Sequence, residues 1–479
     1  MKYFFTIACA VLAADTILAA ERTVIAVRPE KIQQEFQGMG CGAIFYEAHI
    51  TSIGMHGNTN LQVQLYDDMF AKVKTDVLQL MIRPDHEPVN DNDDPYKPEF
   101  DEKNFKYCEH DLQIATAAKK RNPAIKLYAV LYTPPAWMKT NNDPGGGGQA
   151  KGTLKDGLEL EAGEYIWAFL DYMRRHGQTI DFLSISNESD WPHTQPGYFM
   201  TTEKYVDVFG KIAAYLDEMS RRHPETPKPK LVAPNNLSAV DCAAKILLPL
   251  LEKCGPLVDV VGCHDYDRRG HRWKAVSEKS DGRPVWQTEN CFNGHDGSAK
   301  LINSATEQWL AMSEAFNEGV NVWFAYDWVY PPREGGEALI HLNWEKDYKL
   351  TKIYHGFRQW CAPLVPGMHI VETELSGPCA SGIAKPGVKA SAFLSADGKR
   401  LVVHAAAVQE SSAVIALQIS GDFANATLHR WRTSKMEDFA DLGTSEIHDG
   451  LFTDELPSRG MTTYEIERVS KNSAPGAGP

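Results

Sequence analysis

Eight short apolar runs, each followed by a helical pattern, constrain this chain more than any other feature. The strand-like runs are Phe36–Phe45, Asp76–Arg83, Lys126–Pro135, Asp181–Glu188, Lys230–Asn236, Val258–Asp267, Pro284–Cys291 and Asn321–Tyr330. Helical patterns lie between and after them, including Asn104–Arg121, Gly163–His176, Thr202–His223, Asn303–Glu318 and Lys349–Cys361. Across the start of the fourth of these, from Ile302 to Leu310, apolar Ile302, Ala305, Trp309 and Leu310 recur at helical spacing. Runs such as Val258-Asp259-Val260-Val261-Gly262 are almost continuously apolar. That texture belongs to parallel strands covered on both faces. The pattern predicts an α/β protein, a (β/α)8 TIM barrel over residues 35–362. A doubly wound open sheet is the alternative. It would use fewer strands and often a nucleotide-binding glycine turn, which the sequence lacks.

After Pro363 the helical period stops and alternating runs take over: Ala390–Leu394, Arg400–Ala406, Ala413–Ile419, Ala426–Trp431 and Thr462–Ile466. Turn dipeptides such as Asp397-Gly398 and Gly421-Asp422 separate them. An all-β sandwich is expected over residues 363–470, joined by residues 21–34, because Arg22–Val27 also alternates and is β-branched. The final stretch, 471–479, is rich in Gly, Pro and Ser and reads as a flexible tail.

The first twenty residues read as a secretory signal peptide cleaved near Ala20, which predicts a secreted or periplasmic protein. No later run is long and apolar enough to cross a bilayer, so no stable membrane insertion is expected. Eight cysteines remain after residue 20, with no CxxC and no zinc-like spacing. The formal charge of −14 argues against nucleic-acid binding, which needs Lys and Arg to replace phosphate counterions. Gly145–Gly148 lacks the GK[ST] ending of a phosphate loop. No cofactor and no metal are expected, and the chain is read as a monomer.

Barrel enzymes carry their chemistry at the carboxyl ends of the strands. Glu188 ends the fourth run and Glu289 the seventh. Two opposed rim carboxylates are what retaining glycoside hydrolysis needs: one protonates the leaving oxygen, the other attacks the anomeric carbon. A single rim glutamate also serves as a plain salt-bridge partner, so it is the pair that points to catalysis. Asn187 is placed to bond a sugar 2-hydroxyl. Arg83, always charged, would hold a carboxylate ionised for attack, and Tyr266 would donate to the same carboxylate. Trp137, Trp191 and Trp328 fall near strand ends, where flat rings pack on sugar faces or simply fill the core. His264 orients a neighbour, contacts sugar or is a satisfied structural histidine. The substrate expected of such a mouth is a β-linked glycan. Two other readings remain open. A non-catalytic sugar-binding barrel would keep the tryptophans but lose one glutamate. A metal hydrolase could draw on His264, Asp265, Asp267 and His271, but adjacent strand residues point to opposite faces.

Gly38-Met39-Gly40-Cys41-Gly42, Thr133-Pro134-Pro135-Ala136-Trp137-Met138-Lys139-Thr140-Asn141, Ser184-Ile185-Ser186-Asn187-Glu188, His264-Asp265-Tyr266 and Trp286-Gln287-Thr288-Glu289 together resemble glycoside hydrolase family 30. The passage from Leu342-Asn343-Trp344 to Leu364-Val365-Pro366-Gly367 is similar to that family's entry into its side β-sandwich. The resemblance spans roughly residues 22–468. It implies a retaining glycosidase with Glu188 as acid/base and Glu289 as nucleophile. The family often has proline after Asn-Glu, where this chain has Ser189-Asp190. The loops after the first three strands carry unusual content, including Asn90–Asp94. Family 30 includes glucosylceramidases, xylanases, β-1,6-glucanases, β-1,6-galactanases and β-xylosidases, and the departures leave the choice among them open.

Overall fold

The computed structural model describes residues 22–468, apart from 91, 100, 147–150, 193, 292–300, 332–337 and 344–345. The expected signal peptide, the tail 471–479 and half of Gly145–Gly148 lie outside the described residues.

After an N-terminal strand, β1 (Thr23–Glu35), eight parallel strands close into a barrel. They are β2 (Gly38–Gly42), β3 (Val77–Ile82), β4 (Lys126–Leu131), β5 (Phe182–Ser184), β6 (Lys230–Asn236), β7 (Val260–Cys263), β8 (Val285–Gln287) and β9 (Val322–Ala325). Closure is made by β9 pairing with β2, Met39 opposite Trp323 and Cys41 opposite Ala325. Each expected run contains one of these strands. Most strands stop short of the carboxyl end of the expected run. The surplus residues leave the ladder and form the loops that carry polar side chains.

The barrel interior is filled, not hollow. Ile44, Val77, Met81, Tyr128, Val130, Tyr132, Val232, Val260, Trp286, Val322 and Phe324 form one buried cluster. Three large rings interlock in it, with Tyr128 and Phe324 centroids 5.7 Å apart and Trp286 and Phe324 5.8 Å apart. Gly40 makes room for them: a Cβ there would sit 2.3 Å from the Phe324 ring. Tyr128, Val130 and Tyr132 share one strand face by the period of two, so the same packing that fixes Tyr128 aims Tyr132 at the mouth.

The helices follow from apolar spacing and caps. In Thr202–Arg222, Thr201 caps the start by accepting from the Lys204 N–H at 3.3 Å. Tyr205, Phe209, Ile212, Leu216 and Met219 form the buried stripe, and Arg221 and Arg222 sit in the last turn against the negative helix end. A small sheet follows β9: β10 (Val329–Tyr330), β11 (Ile340–Asn343) and β12 (Asp347–Leu350).

The β-domain holds β13 (His369–Ser376), β14 (Val388–Leu394), β15 (Arg400–Ala407), β16 (Ala413–Ile419), β17 (Thr427–Thr433), β18 (Ala440–Glu446), β19 (Leu451–Leu456) and β20 (Met461–Glu467). With β1 they make one nine-stranded sheet in the order β18-β17-β20-β15-β14-β13-β1-β16-β19. The early strand is inserted in it, antiparallel to β13 and parallel to β16. The sheet folds over on itself around a single core that includes Ile25, Val403, Ile415, Leu428, Leu456 and Ile466. Strands near opposite ends of the order therefore touch, Tyr464 Oη donating to Asp454 at 3.0 Å.

By contact density the chain divides into two compact units. Among the described residues, one holds 22–37, 301–317 and 352–468, and the other holds 38–291 and 318–351. Among the described residues no helix is long and apolar enough to cross a membrane.

Candidate active site

Glu289 follows the end of β8 and is bonded on both carboxylate oxygens. Tyr266 Oη donates to Oε1 at 2.9 Å, and Tyr132 Oη donates to Oε2 at 3.0 Å. Glu188 follows β5 across the mouth. His264, next after β7, places Nδ1 2.8 Å from Glu188 Oε1 and 3.8 Å from Glu289 Oε1. One oxygen of each glutamate and a ring nitrogen of His264 all lie within 4.8 Å of one another. The side chains are 12 % and 8 % exposed for Glu188 and Glu289, so both work in a largely dry site that still has an opening.

The backbone at Glu188 is left-handed, with φ +46°. For a residue with a Cβ that costs about 1–2 kcal/mol, and neighbouring bonds hold it there. The Glu188 N–H donates to Asn235 O at 3.0 Å, and the Trp191 N–H donates to Glu188 O at 2.9 Å. Asn235, itself at φ +56°, donates through Nδ2 to Ser186 O at 3.1 Å and to Asn187 Oδ1 at 3.2 Å. Tyr128 Oη donates to Asn235 Oδ1 at 3.2 Å. Thus the aromatic floor of the barrel sets Asn235, and Asn235 sets both members of the Asn-Glu pair.

Burial pushes the Glu289 carboxyl above its ordinary range; the neighbouring His264 charge pulls it down, the Glu188 charge pushes it up, and the two phenols pull it down. The two phenols are themselves pushed up by burial, so they stay protonated and remain donors. For His264, burial works against the cation, but the Glu289 charge and the Glu188 hydrogen bond outweigh it and raise the imidazole above its ordinary value. A carboxylate with a donor on each oxygen loses a partner when it takes a proton, so the two phenols favour the Glu289 anion against the effect of burial.

Removing either donor should therefore raise the Glu289 pKa further. Tyr132→Phe and Tyr266→Phe are each expected to lower kcat/KM by about 10- to 100-fold, the worth of a hydrogen bond to a charged group. In each variant the acid limb of the pH–rate profile should move to higher pH. A limb that stays put would mean that the phenol does not stabilise the anion.

The other expected site residues divide. Asn187 is buried and held by Asn235. Trp191, three residues after Glu188, is 54 % exposed. Trp137 is half-buried, its Nε1 donating to Glu87 O at 3.0 Å. Arg83 does not reach Glu289. It pairs with Glu47, on the helix Glu47–Met55 after β2, because a carboxylate only 1 % exposed needs a cation beside it. Trp328 is not a sugar platform: it is fully buried, edge-on to Phe70 at 5.7 Å. Of the donors in the metal-hydrolase reading, Asp265 pairs with Arg272, Asp267 with Arg269, and His271 with Glu318. Only His264 turns to the glutamates.

Tyr132, Asn235 and Glu47 were missed by sequence reasoning. For Tyr132 a signal existed, since it shares the parity of Tyr128 and stands just before Thr133-Pro134. Asn235 and Glu47 gave none, because their partners are remote in sequence.

The family model "Glycosyl hydrolase family 59" matches residues 74–321, more than half of the chain and the stretch that contains both glutamates. The chain belongs to glycosyl hydrolase family 59. It is a glycosidase, and its substrate is a carbohydrate. The motifs resemble family 30, but the model that matches is that of family 59, and the likeness to family 30 is one of fold. The glucuronoxylanase XynC of Bacillus subtilis is 20% identical over 365 residues, covering 74% of this chain and 77% of the relative. A family 30 endoxylanase from Clostridium papyrosolvens superposes with TM-score 0.68 at 18% identity, covering 92% of this chain and 99% of that one. SrfJ from Salmonella typhimurium superposes with TM-score 0.73 at 16% identity, covering 93% of each chain.

Proposed function

We propose that this glycosidase is an exported, retaining enzyme that cleaves β-glycosidic bonds by double displacement, with Glu289 as nucleophile and Glu188 as acid/base. The observation that carries the reading is the close approach of the two carboxylates, with an oxygen of each within 4.8 Å of the other. Inverting enzymes hold their carboxyl groups about 6.5–9.5 Å apart to seat a water between them, whereas retaining enzymes hold them about 5–5.5 Å apart. The doubly bonded Glu289 is the better anion. His264 bonds Glu188 and stands near Glu289, so it can steady the negative charge as the proton is passed. In this reading Asn187, beside Glu188, bonds the sugar 2-hydroxyl, and the exposed ring of Trp191 packs on a sugar face. Export rests on the leader read in residues 1–20.

Hydrolysis of p-nitrophenyl β-glycosides followed by proton NMR tests the stereochemistry. The first-formed sugar should be the β anomer, with the α anomer appearing only by later mutarotation. An α anomer first would overturn the retaining assignment.

A further inference from the structure

Asp190, two residues after Glu188, turns back onto the loop that follows β6. Its Oδ1 accepts from the Leu237 N–H at 3.1 Å, and its Oδ2 accepts from Asn236 Nδ2 at 3.4 Å. The Asn236 carbonyl accepts from the His264 N–H at 2.8 Å, and the His264 ring bonds Glu188 at 2.8 Å. These bonds close a circuit from Glu188 through Asp190, Asn236 and His264 back to Glu188. The circuit braces a strained residue. Glu188 stands at φ +46°, and such a backbone persists only where its surroundings over-determine it. Asn235 grips the N–H of Glu188, and Asp190 fixes the chain on the other side.

A carboxylate brings more to this place than a neutral acceptor would. Asp190 is half-buried, and its partners among the described residues are a backbone N–H and an amide, not a cation. Bonds to an ionised acceptor are roughly twice as strong as neutral ones. The charge also reaches His264. Burial works against the His264 cation, and the charges of Glu289, Glu188 and Asp190 together outweigh it. In double displacement two of these three anions come and go. Glu188 is neutral whenever it holds the proton, and Glu289 is neutral while it is esterified to the sugar. Asp190 takes part in neither step, so its charge alone persists through the cycle.

We propose that Asp190 is a positioning residue of the reaction: it ties the Glu188 loop to the segment that anchors His264, and so keeps the Glu188–His264 bond in register through both proton transfers. The proposal rests on the reading of Glu188 as acid/base. The titratable groups that meet the Asp190 charge are Glu188 in its own loop and His264 and Cys263 at the end of β7, while the loop after β6 bonds it through neutral groups.

Hydrolysis of phenyl and 2,4-dinitrophenyl β-glycosides by the Asp190→Ala and Asp190→Asn proteins tests it. Phenoxide needs a proton to depart, and dinitrophenoxide does not. For Asp190→Ala, kcat/KM on the phenyl glycoside should fall about 10- to 100-fold, the cost of a misplaced catalytic group. On the dinitrophenyl glycoside kcat/KM should change by no more than about threefold, while kcat falls because breakdown of the glycosyl-enzyme needs Glu188 as base. Asp190→Asn keeps an acceptor for the Leu237 N–H but not the charge. It should lose less, and the basic limb of its pH–rate profile should move to lower pH, because a proton beside one fewer anion leaves more easily. Equal losses of kcat/KM on the two glycosides, or no loss on either, would overturn the proposal. If Asp190→Ala does not fold, Asp190→Asn decides alone: an unchanged ratio between the glycosides with an unmoved basic limb sinks it. If Glu188→Ala itself loses kcat/KM equally on both glycosides, the acid/base reading falls. If Glu188→Ala discriminates between them and the Asp190 variants do not, only the role of Asp190 falls.

Discussion

Glu289→Ala protein should show no turnover of any glycoside in buffer alone, because no glycosyl-enzyme can form. Glu188→Ala should behave differently. On a natural glycan its kcat should fall by about 10²- to 10⁴-fold, the usual worth of general acid–base catalysis. An aryl glycoside needs little protonation to depart, so formation of the intermediate should survive. Its breakdown should be slow, with no base to activate water. Added azide, which needs no base, should then restore turnover and give the β-glycosyl azide. With Glu289→Ala, azide should instead attack the free face and give the α product. Mass and NMR analysis of the two azides reads both roles at once. A β azide from Glu289→Ala, or an α azide from Glu188→Ala, would reverse the assignment. The pH–rate profile of the wild type adds a second readout. Burial raises the Glu289 carboxyl, and the anion is the active form. Activity should therefore fail on acidification at a higher pH than an exposed glutamate would dictate, with both limbs belonging to the coupled pair.

The second large effect concerns stability. Asp265 and Arg272 are both fully buried and joined by two hydrogen bonds, Arg272 Nη2 donating to Asp265 Oδ2 at 2.8 Å and Nε to Oδ1. Burial pushes the Asp265 carboxyl up while Arg272 holds it down. Arg272→Met should cost about 3–5 kcal/mol, because it leaves a carboxylate buried without its cation. The double change Asp265→Asn/Arg272→Met should recover most of that loss, since the charge to be compensated is gone. Urea unfolding of the wild type, Arg272→Met, Asp265→Asn and the double variant measures the cycle. A single-variant loss below about 1 kcal/mol would mean that water reaches the pair. Activity should fall with stability in Arg272→Met, because the Asp265 carbonyl accepts from Asn290 Nδ2 at 2.9 Å and its N–H donates to Glu289 O at 3.3 Å. The ion pair thus holds the segment that carries the nucleophile.

Two further strands show why some elements were legible and others were not. β18 and β19 were absent from the sequence reading. Both lie at the edges of the nine-stranded sheet, and residues such as Asp441, Thr444, Thr453 and Glu455 are exposed along them. An edge strand with water on much of its surface carries no clean apolar alternation, and charge there guards against unwanted pairing. By contrast β15, buried along nearly its whole length, was read within one residue of its true end.

For this protein, the sequence by itself determined the eight-fold alternation, the barrel, the early strand that returns to the β-domain, and the two glutamates at the ends of the fourth and seventh runs. Those features depend on local periodicity and on the rule that side chains at strand ends reach the mouth. Tertiary structure decided the partners. Arg83 went to Glu47 and not Glu289, Trp328 went into the packing, Tyr132 became the second donor to Glu289, and His264 came to bond Glu188 while standing near Glu289. Each of these outcomes joins residues from different loops of a closed barrel. The rotation of each strand about the barrel axis sets which side chains meet, and that rotation follows from packing Tyr128, Trp286 and Phe324 over Gly40, an arrangement with no signature in the order of the residues.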